Sequence, residues 1–545
     1  MVGVNATSIV LEWVLGSTQG DISGKIGQIL WLIRLYFVVP LLRICLYFCL
    51  FLSLLLSLEW IHLMIVSVIV KLFRKKADKR YKFEEIKDDL EGGSEAFPLV
   101  LVQIPIANEV EVYKLSIGAA CKLSWPTDRL IIQVLDDSSD QAAKNMIEKE
   151  TSRWANEGIN ITYEARDHRE GYKAGALKQG MEQDYVKQCE YVAIFDVDFQ
   201  PDPDFLRRSI PFLMHNPQLG LVQTRWRFVN ADACLLTRLQ EMSLDFHFRF
   251  EQEVGSSGYG FFGFNGSGGI WRINAMNDAG GWDWRTTAED MDLSVRAALK
   301  GWEFLYLGDI QVKSELPSSI KAHRSQQHRW FCAPANLFRT TLVPIAVNKK
   351  VSLKKKLYML LSFFLVRKVV GHVFVLLFYC VVLPLTILFP EVVIRKDGAI
   401  IAPCIIAAVN TVVGTPRSLY LILHWILFET AMSYRRTKSI FVGLFRWKSV
   451  NEWVVTEKLG DSLNNKTNIE SADPKHRERA KALEDRILLP ELAIAVFILA
   501  CGCYGFFFGK EYYYYVYMLL QVIFLTLMGF SCFGLKNTAS LSSHT

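Results

Sequence analysis

Apolar residues are distributed unevenly along this chain, and this distribution limits its possible folds more than any other feature. Runs long enough to span a bilayer lie before residue 70 and after residue 365. The stretch between them has the composition and length of a globular domain. We therefore expect the 545 residues, 51% of them hydrophobic, to hold one soluble domain between membrane segments.

This pattern divides the chain into five predicted parts. They are N-terminal interfacial and transmembrane helices (1–72), a linker with basic and acidic residues (73–97), the globular domain (98–345), an interfacial helix (346–366) and a C-terminal transmembrane region (367–545). Spans are expected at about 368–390, 400–430, 487–508 and 513–535. Pro416 and Arg417 interrupt the second of these, so the total of five or six spans stays open.

The basic cluster "KLFRKKADKRYKF" follows the first apolar run. A juxtamembrane polybasic segment is its commoner meaning, so we expect membrane lipid and no nucleic acid as a partner. By the positive-inside rule the cluster places the globular domain on the cytosolic side. The eleven cysteines have no metal-ligand spacing and are expected to be free thiols.

The globular domain alternates strand-like and helix-like segments. Four near-continuous apolar runs read as buried strands: "PLVLVQIPI", "LIIQVLDDS", "INITYEARD" and "YVAIFDVD". This alternation predicts an α/β fold with a mainly parallel sheet covered on both faces. Ligands of such sheets bind at the carboxyl ends of the strands.

Carboxylates follow two of these strands directly. The second strand ends in Asp136 and Asp137, and the fourth ends in Asp196 and Asp198. An acidic sheet edge suits a divalent cation that carries phosphates, so we predict Asp196 and Asp198 as metal–diphosphate ligands. A second Asp-x-Asp, in "PDPDFLRR", is instead typical of a turn and helix cap.

Lys173 and Gly175 lie near a predicted helix start in "DHREGYKAGALKQG". Free backbone N–H groups and a lysine there can hold a phosphate or ribose. A simple solvent-facing cap is the alternative.

Three acids, Glu289, Asp290 and Asp292, lie at or near the start of another predicted helix. Acids in a first turn commonly act as caps, but a carboxylate facing a cleft can be a general base. Sequence alone leaves both uses open.

The segment "QQHRWFCAPANLFR" contains Gln326, Arg329 and Trp330. A tryptophan beside arginine and amides suits a sugar-stacking platform. Anchoring at the membrane interface is the alternative.

Together these motifs resemble the D, DxD, [T]ED, QxxRW signature of processive family 2 glycosyltransferases, the cellulose synthase superfamily. The matching residues are Asp137, Asp196-Val197-Asp198, Thr287-Ala288-Glu289-Asp290 and Gln326-Gln327-His328-Arg329-Trp330. Further segments, among them "EMSLDFHF" and "FFGFNGSGGIWR", resemble the plant cellulose-synthase-like A group over nearly the whole chain.

The resemblance implies a GT-A catalytic domain at 98–345 flanked by transmembrane helices. It also implies polymerisation of a β-1,4-mannan or glucomannan backbone from GDP-mannose and GDP-glucose, with inversion in a single displacement. Mg²⁺ or Mn²⁺ is the implied cofactor, the growing glycan is the acceptor, and the Golgi membrane is the location. The family also admits galactosyltransferases or other cell-wall synthesis proteins as partners.

The resemblance assigns roles to individual residues. Asp137 would contact the nucleotide as part of the catalytic set, and Asp290 would be the base. Glu289, Gln326, Arg329 and Trp330 would border the acceptor. Lys173 and Gly175 would bind the nucleotide, as would Thr456 and Lys458 in "WVVTEK", which resembles the gating loop of cellulose synthases and lies within 451–460.

Several positions depart from the family pattern. Trp453 replaces the gating Phe, Ala107 lies where relatives often have Tyr, and "SGG" replaces Thr-Ala-Gly after Gly266. These departures affect the expected donor preference and turnover more than the reaction class. A β-1,4-glucan (xyloglucan backbone) synthase, single-sugar transfer to a lipid and a catalytically silent membrane scaffold are the alternatives.

Overall fold

A computed structural model of the full chain describes residues 22–73, 77–86, 93–166, 168–394, 402–445, 487–508 and 513–532. The predicted gating segment 451–460, with Thr456 and Lys458, lies outside the described residues.

One eight-stranded sheet forms the centre of the globular domain. Its strands are β1 (Val100–Ile106), β2 (Leu130–Asp136), β3 (Ile161–Ala165), β4 (Tyr191–Ile194), β5 (Gln200–Pro201), β6 (Leu219–Phe228), β7 (Gly269–Arg272) and β8 (Glu303–Ser314). The spatial order is β3-β2-β1-β4-β7-β6-β8-β5. The four predicted strands are all present and pair in parallel. The prediction of an α/β fold with a mainly parallel sheet is confirmed, with β7 running antiparallel to both of its neighbours.

Helices and helical turns connect the strands and continue after the sheet. The α-helices are α1 (Ile22–Ile33), α2 (Val39–Leu72), α3 (Ala77–Arg80), α4 (Tyr113–Cys121), α5 (Gln141–Asn156), α6 (Tyr172–Met181), α7 (Phe205–His215), α8 (Leu235–Phe246), α9 (Glu253–Tyr259), α10 (Ile273–Asp278), α11 (Glu289–Lys300), α12 (Ile320–Val347), α13 (Leu353–Leu357), α14 (Gly371–Leu377), α15 (Leu383–Leu388), α16 (Ala402–Gly414), α17 (Ile422–Phe445), α18 (Leu489–Phe508) and α19 (Tyr513–Gly529). Stretches of π-helix lie at Arg34–Val38, His247–Gln252, Tyr358–Val370 and Phe378–Val382. Turns of 3₁₀-helix lie at Gly93–Ala96, Thr127–Arg129, Asp184–Gln188 and Pro416–Leu421.

Strand β1 explains why the sheet needs cover on both faces. Val100, Val102 and Ile104 pack into one hydrophobic cluster, whereas Leu101 packs into another. Alternate side chains of a strand point to opposite faces, so a strand with apolar side chains on both faces must be covered on both. The parallel pairing of β1 with β2 and with β4 places the carboxyl ends of these strands along one edge.

Within the described residues, three helical runs are long and apolar enough to cross a membrane. They are Ile26–Leu72, Leu353–Leu388 and Leu489–Phe508, and Tyr515–Gly529 is a shorter apolar helix. These runs flank the globular domain, as predicted. Residues 346–366 do not form a separate interfacial helix, because α12 extends to Val347 and a continuous helical run begins at Leu353.

The interrupted region at 400–430 is two helical segments. Helix α16 ends at Gly414, and a 3₁₀ turn that begins at Pro416 leads into α17. Proline at this position lacks the N–H that an unbroken helix needs.

Glu59 and His62, two ionisable residues of the first apolar run, make contacts with other parts of the protein. Glu59 accepts hydrogen bonds from Arg367 Nε (2.8 Å) and Ser362 Oγ (2.6 Å). His62 Nε2 lies 2.7 Å from the hydroxyl of Tyr259. These contacts join the first run to the second run and to the globular domain.

Candidate active site

A cavity of about 480 Å³ opens at the carboxyl edge of the sheet. Nine of the predicted site residues line it: Asp137, Lys173, Asp196, Asp198, Glu289, Asp290, Gln326, Arg329 and Trp330. They come from strand ends and from helices α6, α11 and α12. The convergence expected from the sequence is therefore present.

Asp137 is held in place by a buried arginine. Arg166 Nε donates to Asp137 Oδ1 (2.5 Å), and a second guanidinium nitrogen donates to Oδ2. Arg166 follows β3, the strand that pairs with β2, so the sheet brings two residues separated by 29 positions together. Arg166 also donates to the carbonyl of Tyr172 (2.9 Å), just before Lys173. A bidentate pair of this kind fixes the direction of the carboxylate.

Asp196 has a lysine as its cationic partner. Lys173 Nζ donates to Asp196 Oδ1 (2.5 Å) and to the carbonyl of Gly266 (2.9 Å). Burial alone would lower the pKa of Lys173, but the negative charge of Asp196 raises it above its ordinary value. The lysine is thus charged beside a carboxylate that remains 34% exposed.

Asp198 lies deeper than Asp196. Its Oδ2 accepts from the backbone N–H of Glu315 (3.1 Å), at the end of β8, and only 4% of the residue is exposed. Asp196 is therefore accessible from the cavity, whereas Asp198 is fixed by a backbone hydrogen bond.

This donor set fits a divalent cation that arrives with a diphosphate. Within the described residues no group of three or more His, Cys, Asp or Glu side chains is placed to hold a metal by itself. Mg²⁺ commonly binds through one or two carboxylates and completes its shell with substrate phosphates and water. Asp196 and Asp198 supply that number of carboxylates.

Glu289 and Asp290 begin helix α11 and lie half-buried at the cavity wall. Burial raises the pKa of Asp290 to about 6. Burial and then the charge of Asp290 raise the pKa of Glu289 to about 8. Of the two, Asp290 has the lower pKa, and its Oδ1 accepts from the N–H of Met291 (2.6 Å).

Asp292, two residues further on, has a structural role. It is fully buried and accepts from Arg285 Nε (3.1 Å) and Arg296 Nε (2.8 Å). Sequence analysis left open whether these acids are structural or catalytic. Asp292 is held by two arginines, whereas Asp290 faces the cavity.

Helix α12 contributes Gln326, Arg329 and Trp330 to the cavity. Gln326 Oε1 is buried and has no hydrogen-bond partner among the residues that the structure describes. A buried acceptor without a partner is costly, and a sugar hydroxyl could satisfy it. The cavity then continues between α12 and α17, past Trp425 and Glu429.

Gly175 is placed differently from the prediction. Its backbone N–H donates to the carbonyl of Gly171 (3.0 Å), and it is not among the cavity residues. A Cβ at this position would lie 2.0 Å from the carbonyl oxygen of Glu170. Glycine is needed here because a side chain would collide with that carbonyl. Its N–H is already used within the helix, so it is not free for a ligand.

The second Asp-x-Asp also lies outside the cavity. Asp202 accepts from Lys313 Nζ (3.3 Å). Asp204 occupies the N-cap position of α7, as predicted, but its side chain makes no capping hydrogen bond and contacts Arg208 instead (3.4 Å).

Arg166 and Asn265 were missed by the sequence reasoning. A signal for Arg166 existed, since it directly follows a predicted strand next to the one that ends in Asp137. Asn265 lies within "FFGFNGSGGIWR", a segment that the resemblance covers without giving the asparagine a role.

Comparison with known proteins places this chain in a class of enzymes. Residues 102–265 match glycosyl transferase family 2, and residues 191–428 match glycosyl transferase family group 2. The chain is a glycosyltransferase with a GT-A fold.

Two relatives define the family more closely. The chain is 58% identical over 525 residues to glucomannan 4-beta-mannosyltransferase 2 of Arabidopsis thaliana, covering 96% of this chain and 98% of the relative. It is 54% identical over 503 residues to glucomannan 4-beta-mannosyltransferase 1 of Oryza sativa subsp. japonica, covering 92% and 96%. The chain therefore belongs to the glucomannan 4-beta-mannosyltransferase family, and the predicted resemblance is confirmed.

Among solved structures, a mannosyltransferase from Pyrobaculum calidifontis in complex with GDP-Man and Mn²⁺ is similar at 15% identity, with a TM-score of 0.47. The match covers 72% of this chain and 99% of that one.

Proposed function

We propose that the protein polymerises a β-1,4-linked mannan or glucomannan backbone from GDP-mannose, and from GDP-glucose, by inverting single displacement. The observation that carries this proposal is the meeting of Asp137, Asp196, Asp198 and Asp290 in one cavity with Trp330. The names of the relatives support mannose as the transferred sugar.

The strand-end side of the cavity would bind the nucleotide diphosphate. Asp137, fixed by Arg166, lies where the base or ribose would contact β2, and Lys173 lies beside the phosphate position. Asp196 and Asp198 would hold Mg²⁺ or Mn²⁺. When bound, that ion supplies positive charge that stabilises the departing diphosphate.

The helical side of the cavity would bind the acceptor and remove its proton. Asp290 accepts the proton of the acceptor's 4-hydroxyl as its oxygen attacks the anomeric carbon. The bond from that carbon to the diphosphate oxygen breaks, and the nucleoside diphosphate departs with the electron pair. One displacement converts an α-linked donor into a β-linked product without a covalent enzyme intermediate.

Gln326, Arg329 and Trp330 would align the acceptor. Trp330 offers an aromatic face for a sugar ring, and Gln326 Oε1 is available to accept from a hydroxyl. Glu289, with its pKa raised to about 8, would donate a hydrogen bond in its protonated form. Thr456 and Lys458 remain proposed nucleotide contacts.

The apolar runs on both sides of the domain support a place in a membrane. We infer a multi-pass protein of the Golgi membrane, with the glycan leaving the cavity between helices α12 and α17. Membrane lipid, the growing glycan and other cell-wall synthesis proteins, such as galactosyltransferases, are the proposed partners.

The donor assay tests this function. Membranes carrying the protein are incubated separately with labelled GDP-mannose, GDP-glucose and UDP-glucose, and the polymer is digested with mannanase. We expect mannanase-sensitive polymer from GDP-mannose. Polymer from UDP-glucose alone, resistant to mannanase, would contradict the proposal in favour of glucan synthesis.

A further inference from the structure

Glu59 lies within the first apolar run (Ile26–Leu72), and its side chain is largely buried. Its Oε1 accepts from Arg367 Nε (2.8 Å) and from Ser362 Oγ (2.6 Å), both in the second run (Leu353–Leu388). A charged side chain within a membrane run is costly, and such residues usually serve a function. Glu59 does not line the cavity, so direct binding of a substrate does not account for it.

Five side chains around Glu59 form a closed cycle of contacts, here called the Glu59 cycle. Glu59 Oε2 lies 3.5 Å from His62 Nδ1, and His62 Nε2 lies 2.7 Å from the hydroxyl of Tyr259, on α9. Tyr259 stacks on Tyr358, with ring centroids 3.9 Å apart and ring planes at 6°. The guanidinium of Arg367 lies 5.2 Å from the centroid of Tyr358 and donates to Glu59. The cycle therefore joins the first run, the second run and the globular domain.

The Glu59 cycle reaches the cavity through Arg367, which lines it. Arg367 Nε lies 4.0 Å from Oε1 of Glu251, another cavity residue. Burial alone would raise the pKa of Glu251, but the hydrogen bond with His247 and the charge of Arg367 lower it to about 2. The charge of Arg367 thus acts on the cavity wall, and Glu59 holds that charge in place.

A second connection runs from Glu59 toward the proposed base. Ser362, which donates to Glu59, is followed by Phe363, which lines the cavity. A Cβ at Gly263 would lie 2.9 Å from Phe363 Cζ and 3.3 Å from Met291 Cγ. Phe363 and Met291 therefore flank the same glycine of the cavity wall, and Met291 directly follows the proposed base on α11.

We propose that Glu59 is a positioning residue that acts through the second run to fix the cavity wall against which Asp290 is aligned. The first run would then be a working part of the active site as well as a membrane anchor. This inference rests on the proposed function for the role of Asp290. Glu59 holds Arg367 and Ser362 at fixed positions, whereas a neutral residue would let the guanidinium move toward Glu251, its remaining carboxylate partner.

Turnover per folded active site tests this role. Full-length wild type, Glu59→Gln, Arg367→Met and the double variant are reconstituted in lipid nanodiscs, and GDP calorimetry counts the binding sites in each sample. Initial rates with the nucleotide sugar that the wild type turns over fastest give kcat and the KM for the donor. Glu59→Gln keeps the shape of the side chain and removes its charge.

We expect Glu59→Gln to lower kcat about tenfold, near the lower end for a hydrogen bond to a charged group, with donor KM and GDP affinity unchanged. Arg367→Met should lower kcat to a similar extent. Because Glu59 acts through Arg367, the double variant should lose no more than Arg367→Met alone. Losses that multiply to about a hundredfold, or wild-type kcat per site in Glu59→Gln, would overturn the proposal.

Glu491→Gln is the matched control. Glu491 is buried and accepts from Arg435 Nε (2.7 Å), which joins α18 to α17, and neither residue lines the cavity. The control thus breaks a pair of the same kind away from the proposed base. It should lower the unfolding temperature and keep the wild-type kcat per site. An equal loss of kcat in Glu491→Gln would show that any loosened helix lowers turnover, and would overturn the proposal.

Tyr259→Phe decides the test if Glu59→Gln or Arg367→Met does not fold. It removes only the hydroxyl that contacts His62, and it should lower kcat about two- to threefold, the size of one neutral hydrogen bond. Wild-type kcat in Tyr259→Phe would then overturn the proposal. Wild-type turnover by Asp290→Asn would instead contradict the proposed base, which separates failure of the proposed function from failure of this inference.

Discussion

The carboxylates on the two sides of the cavity have different surroundings. On the strand-end side, Asp137 and Asp196 each have a protein cation, Arg166 and Lys173. On the helical side, burial holds the pKa of Asp290 above its ordinary value. A carboxylate held by a protein cation suits ligand binding, whereas a carboxylate with a raised pKa suits proton transfer near neutral pH. This difference supports the proposal that the sheet edge binds the nucleotide and that helix α11 supplies the base.

The largest expected effect is loss of the base. Asp290→Asn should lower polymer synthesis by about 10³- to 10⁴-fold, the upper range for general-base catalysis, and leave GDP binding nearly unchanged. Radiolabel incorporation and GDP calorimetry measure the two quantities. Asp278→Asn, an acid on α10 outside the cavity, is the control. Transfer at the wild-type rate by Asp290→Asn would remove this residue as the base.

Loss of a metal–diphosphate ligand should have the next largest effect. Asp198→Asn is expected to lower activity by about a hundredfold, because one of only two carboxylates for the ion is lost. Titration of Mg²⁺ or Mn²⁺ into chelator-treated protein should show a raised half-saturating concentration. Asp202→Asn is the control, because Asp202 belongs to the second Asp-x-Asp and lies outside the cavity. Its half-saturating metal concentration should equal that of the wild type. Unchanged metal dependence in Asp198→Asn would break the assignment of binding to the sheet edge.

Breaking the Asp137 pair should cost stability as well as nucleotide affinity. Arg166→Met leaves a buried carboxylate without its partner, a change that costs about 3 kcal/mol or more. Arg153→Met removes an exposed pair with Glu150 and should cost less than about 1 kcal/mol. Unfolding followed in detergent by intrinsic fluorescence compares the two. Equal losses would show that the buried pair does not organise the sheet edge.

The smallest expected effect is the pH dependence of kcat, which distinguishes Asp290 from Glu289 as the base on α11. Asp290 must be ionised to act as base, so its raised pKa predicts that kcat falls about tenfold per pH unit below about 6. Glu289→Gln should keep this fall of kcat at low pH, because glutamine resembles the protonated form of Glu289, whose pKa is raised to about 8. Rates at saturating donor between pH 5 and 8 measure this. A limb near 8 that Glu289→Gln removes would make Glu289 the base instead.

Much of the fold could be predicted, because β1, β2 and β4 are apolar at nearly every position and only a sheet covered on both faces buries them. Asp137, Asp196 and Asp198 follow from the same reasoning, since parallel strand ends share one edge. The separate roles of Asp290 and Asp292 could not be predicted. They depend on Arg285 and Arg296, which reach Asp292 and not Asp290.

The wrong expectation for Gly175 has a physical cause. A glycine near a helix start suggests free N–H groups, but the helix begins at Tyr172, so position 175 is already hydrogen-bonded within it. The predicted division between an interfacial helix (346–366) and the first C-terminal span does not coincide with a break in the helix. Hydropathy does not reveal that residues 353–388 continue through three helices and two π-helical stretches.

A structure of the full chain with GDP and Mn²⁺, determined by electron cryomicroscopy in detergent, would test most directly whether the acidic sheet edge is the nucleotide site. We predict density for the ion against Asp196 and Asp198, with the diphosphate near Lys173 and the nucleoside toward Asp137. Nucleotide density away from these four residues, or an ion that contacts neither carboxylate, would contradict the division of the cavity.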